Sequence, residues 1–397
     1  MTKAEFAPFM TYLQYRDYAE LYKSITEESK IDFLKRFASE FKRIEEDGRL
    51  NPDLFQEDEL RQLREIMENP QEYYYRSSKA SDYEFLRCLP PQRYPEVLKR
   101  WFKEQTGKEL DLENPKTFRE KIQWLKLYDS TAFKTRLADK VLVREWIKET
   151  IGGKRLVPLL GVYSKFEDID FSRLPERFVM KTTHGSGWNI VVSDKELFDR
   201  DDAKRKFDLW MKKSAAICGG LELHYADIKP RILVEEYLDL SAGVELLFWC
   251  FNGKIEFVSI HKEPHGANRK MTVDLNWKQL PFVVSWPELS DEEKAGITKP
   301  QDFDDAAADV RVLCEGLPFV RVDCYACNGK TWFGEMTFTP ASGKKPQFEG
   351  LDREFGELLV LPDTKQPLPA SSLAQRGIPP LPTARRIDPR HLMDLGR

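Results

Sequence analysis

The run FVMKTTHGSGWNIVV, residues 178–192, places Lys181, His184, Gly185, Ser186 and Gly187 at the tip of a hairpin between two strand-like segments. A hairpin that only reverses the chain needs about two to five residues in its turn. This turn is larger, flanked by a cation and rich in glycine. Glycine removes the Cβ and lets backbone N–H groups approach an anion, so the segment suits phosphate oxygens. A second group lies in FVRVDCYACNGKTWFGEMTFTPASG. Asp323 and Glu335 fall on partner strands of a hairpin that turns at Asn328-Gly329, with Arg321 and Thr337 two residues from them on the same face. Two carboxylates and a hydroxyl can hold a hard cation such as Mg2+. An arginine beside such a site can stabilise charge developing on a reacting oxygen. The same residues also read as a stripe of cross-strand ion pairs. A third segment, RILVEEYL, ends an apolar strand on Glu235-Glu236. Those carboxylates could meet an adenine amino group or a ribose hydroxyl, or only water.

Such residues need sheets to position them. From about residue 150 the runs RFVMKTT, NIVVSD, RILVEEYL, VELLFWCFNGKIEFVSIHK and FVRVDCYACNGKTWFGEMTF follow one another, with a helix near 201–216 between the second and third. Asn-Gly pairs at 252–253 and 328–329 mark tight hairpins. The order predicts an α+β fold with antiparallel sheets. Upstream, Phe33, Phe37, Phe41 and Ile44 recur at helical spacing among charges, so residues 1–80 predict amphipathic helices that pack on the body or on a second copy, as in a homodimer. Residues 81–160 stay mainly helical, broken by Pro90, Pro91 and Gly107. Residues 161–240 then hold the glycine-rich hairpin and 241–355 the paired carboxylates. The proline-rich stretch 356–397 predicts a mobile or extended tail.

At 397 residues the chain exceeds one ordinary core, and a 41% hydrophobic, 12% aromatic composition excludes disorder. A net charge of −4 argues against a general nucleic-acid binder. No apolar run approaches the roughly 18 residues of a membrane span, and MTKAEFAPFMTYLQYRDYAE lacks the apolar stretch of a signal peptide, so the expectation is a cytoplasmic protein. Only Cys324 and Cys327, of six cysteines, form a CxxC; with no second pair to complete a zinc site they read as thiols of the hairpin.

Lys181 before a glycine-rich hairpin, then VEEYL, then RVD followed twelve residues on by the glutamate of GEMTFTP, resembles the order of ATP-grasp ligases. NPKTFREKIQWLKLYD, LADKVLVREWI, LVPLLGVY, IKPRILVEEYL, FWCFNGK, LPFVRVD and FGEMTFTPASG resemble more closely the TupA-like ATP-grasp family, named for a teichuronopeptide biosynthesis protein, over roughly residues 85 to 350. The resemblance implies an ATP-grasp fold using ATP and Mg2+, with an added N-terminal helical segment. It implies that Lys140 and Lys181 contact the nucleotide phosphates under the hairpin, that Glu235, Glu236 and Leu238 form the adenine hinge, and that Glu245 lies near the ribose. Asp323, Glu335 and Thr337 would hold the metal, and Arg321 would steady the transition state; Thr337 stands where these ligases usually carry Asn. Lys262 and Arg269 are the nearest later cations for the γ-phosphate, and no motif separates them. The implied activity is amide formation through an acyl phosphate, joining an amine to a sugar carboxylate or amino acid for a cell-surface polymer. A phosphotransferase that stops at phosphate transfer, or an inactive scaffold in a polymer-assembly complex, are the alternatives.

Overall fold

The structure is a computed structural model that describes residues 85–381, apart from 263–268, 285–286 and 346–349, and scattered positions before residue 85. The chain divides into two compact units, Leu86–Pro379 and a second made of Met1–Phe85 with Pro380–Arg397. In the second unit the scattered described positions between 35 and 68 are helical apart from a turn at Asp47-Gly48, and the stripe of Phe33, Phe37, Phe41 and Ile44 lies outside the described residues. Every site residue named above belongs to the first unit.

That unit begins with helices α1 (Tyr94–Thr106), α2 (Phe118–Tyr128), α3 (Ala132–Ala138) and α4 (Leu142–Ile151). Their limits follow local chemistry. Gly107 ends α1 in the left-handed region, at φ 69. Thr117 and Glu120 form a reciprocal capping box at the start of α2, and Thr131 caps α3.

The first sheet contains β1 (Leu159–Tyr163), β2 (Phe178–Thr182), β3 (Asn189–Val192) and β4 (Ile232–Glu236), in the antiparallel order β1-β4-β2-β3. Helices α5 (Arg200–Trp210) and α6 (Ala215–Cys218) lie between β3 and β4 in the chain. Alternation along β2 sends Phe178 and Met180 into a core with Phe166, Phe171 and Phe207, and leaves Lys181 on the other face.

The second sheet orders β5 (Val244–Phe251), β6 (Lys254–Lys262), β7 (Arg269–Val273), β8 (Phe319–Cys327) and β9 (Lys330–Thr337) as β7-β6-β5-β8-β9, again antiparallel. The expected hairpin turns are both present, with Asn252, Gly253, Asn328 and Gly329 all at positive φ, as a two-residue turn matched to strand twist requires. Helices α7 (Asp291–Ala295), α8 (Phe303–Cys314) and α9 (Asp352–Leu358) complete the unit. One face of the sheet, through Leu246, Phe248, Val320 and Val322, shares a core with α8. The opposite face carries Trp249, Phe251 and Phe319, and Phe118 of α2 sits on them with ring centroids 5.1 to 6.1 Å away.

The proline-rich stretch, expected as a mobile or extended tail, has no helix or strand from residue 359 to 381 but is packed down. Residues 352–358 are helical, and the chain after them is laid on the unit: Leu359 and Leu373 are fully buried, Gln366 N donates to Tyr128 O (2.9 Å), and Arg376 pairs with Asp227. Proline count alone signals an extended chain, but the leucines between the prolines bury apolar surface that holds it down. Residues 382–397 lie outside the described residues.

Two expected outcomes follow from this packing. Phe118→Ala should lower the unfolding free energy by about 3–5 kcal/mol, the usual loss for a buried aromatic, read by denaturant titration. His184 and His224 are buried, and burial lowers their pKa values to about 4 and about 3. Above pH 6.5 they are neutral in both states and contribute nothing to the pH slope; below it the unfolded chain takes up protons first, so stability should fall from pH 6.5 toward 4. His224→Gln should flatten that fall in melting curves taken across the range.

Candidate active site

The hairpin tip is built by β2 and β3, with Lys181 opposite Asn189 and Thr182 N donating to Trp188 O (3.0 Å). Gly187 takes φ 73, and a Cβ on Gly185 would lie 2.2 Å from the Trp188 ring, so both glycines are required by the turn. Ser186 and Gly187 are exposed at the tip. His184 is not: its Nε2 lies 3.1 Å from Trp210 O, beneath the turn, and its Nδ1 is buried without a partner. The expected anion contact from this side chain is therefore replaced by a packing role: the ring is 2% exposed and meets the Trp188 ring edge to face, with centroids 5.4 Å apart.

Lys140, between α3 and α4, ties the tip to the second sheet. Its Nζ donates to Gly185 O at 2.7 Å and lies 3.2 Å from Glu335 Oε2. Lys181 pairs with Glu235 and lies 5.8 Å from the Tyr325 ring centroid. Arg144, which sequence reasoning passed over, approaches the other Glu235 oxygen at 3.6 Å. Glu235 is thus a buried counter-ion to two cations in place of a free hinge carboxylate; β4 runs beside β2, and that register brings it to Lys181. Glu236 is exposed and Leu238 half-buried beyond the strand end. A cavity of about 70 Å³ between the sheets is lined by Lys140, Lys181, Gly185, Tyr325 and Glu335 among others.

On the second sheet Asp323 stands opposite Glu335 and Arg321 opposite Thr337. Arg321 Nε and Nη2 donate to the two Asp323 oxygens at 2.7 and 2.6 Å, a bidentate fork. Thr337 Oγ1 lies 3.1 Å from Asp323 Oδ2 and 3.4 Å from Glu335 Oε1. Burial raises the Asp323 carboxyl to about 7 against the pull of Arg321. Burial opposes ionisation of Glu335 too, but Lys140 and Arg321 outweigh it and hold that carboxyl below its ordinary value. This is an all-oxygen set of the kind Mg2+ accepts. Among the described residues no group of three His, Cys, Asp or Glu could hold a metal, so the hydroxyl is the third protein oxygen available to such an ion. Cys324 turns to the opposite face, in the core shared with α8, and all six cysteines are free thiols.

The face continues across the sheet. Glu245 stands between Tyr325 and His261, with His261 Nδ1 3.4 Å from Glu245 Oε2. Burial, with Lys270 and Arg321 adding repulsion, lowers His261 to about 2, so the contact joins a neutral imidazole to the carboxylate. Lys262 and Arg269 face each other at the ends of β6 and β7, and Arg269 is drawn to Glu293 at 2.6 Å. Lys270, one residue on, is 7% exposed and stands opposite His261 on the Glu245 row. Burial lowers its amine, with repulsion from Arg321 and Lys345 opposed by Glu245. Counting along β7 could not find it, because which parity faces inward depends on the β6–β7 register.

A family model described as TupA-like ATPgrasp matches residues 120–360. Among curated proteins none matches the chain. Similar solved structures include D-alanine–D-alanine ligase from Helicobacter pylori, 14% identical over 56% of this chain and 61% of that one, with a TM-score of 0.33. L-amino acid ligase from Bacillus licheniformis is 16% identical over 53% and 46%, with a TM-score of 0.33. The ATP-grasp ligase PsnB, complexed with a phosphomimetic variant of its minimal precursor, Mg and ADP, is 14% identical over 57% and 59%, with a TM-score of 0.32. The match thus spans less than two thirds of each of these chains. With the family match covering more than half of its length, the chain belongs to the TupA-like ATP-grasp family.

Proposed function

We propose that the protein is an ATP- and Mg2+-dependent carboxylate–amine ligase that forms an amide through an acyl phosphate. The observation that carries this reading is the Lys140 bridge: one amine links the tip of the glycine-rich hairpin, at Gly185, to Glu335 of the paired carboxylates. The groups proposed to take phosphate and metal thereby lie within one side chain's reach of each other, as transfer of a terminal phosphoryl group requires.

The roles follow from charge and position. Lys140, Lys181 and the backbone around Gly185, Ser186 and Gly187 take the triphosphate, Lys181 leaving Glu235 to do so. Glu236 and Leu238 flank adenine, and Glu245 serves the ribose. Lys270, on the face of Glu245 and Arg321, is better placed than Lys262 or Arg269 to meet the γ-phosphate. Asp323, Glu335 and Thr337 would hold Mg2+, which supplies charge neutralisation on the β- and γ-phosphates. Arg321, aligned by its fork to Asp323, faces the charge that develops when a substrate carboxylate attacks phosphorus. That attack forms a C–O–P linkage and releases ADP. The amine then adds to the acyl carbon, a C–N bond replaces the C–O bond, phosphate departs, and the amine's proton is lost. A uronic acid or amino acid is the proposed carboxylate, in the cytoplasmic synthesis of a cell-surface polysaccharide or glycopeptide.

The decisive experiment is ADP release by the purified full chain with Mg-ATP against a panel of uronic acids and amino acids, with product analysis. Amide with free phosphate supports the ligase; a stable phosphorylated product without free phosphate makes it a phosphotransferase. No nucleotide binding in calorimetry at millimolar concentration rejects both. Lys181→Ala should weaken Mg-ATP binding about tenfold, the value of one charge-assisted hydrogen bond. Glu335→Gln should abolish turnover, while Arg321→Ala should keep most nucleotide affinity and lose about a hundredfold in kcat. Thr337→Asn should be tolerated. If Arg321→Ala and Glu335→Gln both turn over normally, these side chains are only an ion-pair stripe and the reading falls.

A further inference from the structure

The ladder between β2 and β4 is altered at its last rung. Thr182 stands opposite Ile232, so Thr183 and Arg231, one step on, would ordinarily exchange two backbone hydrogen bonds. Thr183 N does donate to Arg231 O (3.0 Å), but Arg231 N returns its bond to the Thr183 hydroxyl (3.1 Å) in place of the Thr183 carbonyl. That hydroxyl donates in turn to Lys229 O (3.1 Å), and the carbonyl left over accepts from Lys140 N (3.3 Å). Thr183 is fully buried, so each of these groups needs its partner within the protein. One side-chain oxygen thus releases the acceptor that holds the Lys140 backbone.

Lys140 is also held through the residue before it. Asp139 is 1% exposed, and its Oδ1 accepts from Val141 N (2.8 Å) and Leu142 N (3.3 Å) at the start of α4. Arg231 Nη2 donates to both Asp139 oxygens, at 3.0 and 2.7 Å, the compensation a buried carboxylate needs. Arg231 therefore closes a ring: its backbone meets Thr183, its side chain meets Asp139, and Lys140, next in the chain, meets Thr183 again. The Lys140 side chain leaves this ring for the cavity between the sheets, where its Nζ reaches Gly185 O (2.7 Å) and Glu335 (3.2 Å). Backbone and side chain of Lys140 thereby bracket residues 183–185, the root of the hairpin tip.

We propose that Thr183, Arg231 and Asp139 are positioning residues for Lys140: the Thr183 hydroxyl and the Arg231–Asp139 pair together fix where its amine stands against the nucleotide phosphates. Each acts through Lys140, and none meets the nucleotide itself. This rests on the phosphate role proposed above for Lys140 and adds to it the side chains that set it.

Calorimetry on the full chain with Mg2+ and a non-hydrolysable ATP analogue tests it, in the parent and in Lys140→Ala. Thr183→Val should weaken the analogue about tenfold in the parent background, and Thr183→Ser, which restores the hydroxyl, should recover that loss. Asp139→Asn keeps an oxygen for the amides at the start of α4 but turns a donor toward Arg231, and should weaken binding by a similar factor. In the Lys140→Ala background neither change should cost more than about twofold, because residues that act through one side chain have nothing further to lose once it is gone. A merely structural loss lowers affinity alike in both backgrounds, and that result overturns the proposal, as does a Thr183→Val protein that binds like the parent. If Thr183→Val behaves as expected and Asp139→Asn binds like the parent, the role of the Arg231–Asp139 pair is overturned. Should Thr183→Val fail to fold by circular dichroism, the same cycle with Asp139→Asn decides. Hydrogen exchange of the ligand-free protein separates the anchoring from the phosphate role: residues 183–187 should exchange faster in Thr183→Val and Asp139→Asn than in the parent, with β8 and β9 unchanged. If exchange rises there but Lys140→Ala binds the analogue like the parent, or the parent binds none, the phosphate role of Lys140 falls and the anchoring of the hairpin root stands; unchanged exchange overturns the anchoring itself.

Discussion

The Arg321–Asp323 fork is the interaction on which the rest of the site depends. Asp323 is 3% exposed, in a face whose neighbours on one side are the rings of Trp249, Phe251, Phe319 and Phe118. An ionised carboxylate there costs several kcal/mol in lost hydration unless a partner meets both oxygens. Arg321 does so from the same strand, two residues away and hence on the same face, without any adjustment of the backbone. The guanidinium lies 5.6 Å from the Trp249 ring centroid, a position a planar cation tolerates better than an ammonium. Alternation along β8 therefore serves two environments: Val320, Val322 and Cys324 face the α8 core, while Arg321, Asp323 and Tyr325 lie on the opposite face, where Lys181 of the first sheet approaches Tyr325.

The same requirement for compensation fixes the relation between the sheets. Glu335 is opposite Asp323, close enough to repel it, and its compensation comes from outside the strand pair through Lys140. Lys140 also donates to the hairpin tip, so the position of the tip is coupled to the ionisation of Glu335. Glu235 shows the mirror arrangement, a first-sheet carboxylate held by Lys181 and by Arg144 of α4. Side chains from the helical segment α3–α4 thus serve as counter-ions to both sheets.

Local features were legible in the sequence and relations across elements were not. The two Asn-Gly hairpins, the glycine turn at 185–187 and the face shared by Arg321, Asp323, Glu335 and Thr337 follow from backbone preference and period-2 alternation, which act over a few residues. The pairing of Glu235 with Lys181 needs the β2–β4 register, joining residues 54 apart in the chain. The inward turn of His184 depends on α5, and the burial of Lys270 depends on β6. Residues 359–379 carry no helix or strand, in keeping with their prolines, but their docking was not legible, because prolines are local signals whereas the sites that receive Leu359 and Leu373 are made by distant parts of the fold.

The charges of the site also constrain how it can work. Lys140, Lys181 and Arg321 are each already engaged by a carboxylate, Glu335, Glu235 and Asp323 respectively. In this arrangement the cations are not idle phosphate receptors, and the carboxylates are not open metal ligands. On the proposed reading, Lys181 can turn to phosphate only by uncovering Glu235, which Arg144 remains to neutralise. Lys140 can do the same only if Glu335, partly exposed beside the buried Asp323, gains another cation at that moment. Asp323 and Glu335 in turn would accept a divalent ion more readily as Lys140 withdraws, because fixed positive charge close by opposes it. Nucleotide and metal are therefore expected to bind with positive coupling, each removing the electrostatic obstacle to the other, and the coupling is a property of exchanged ion pairs that needs no movement of the sheets.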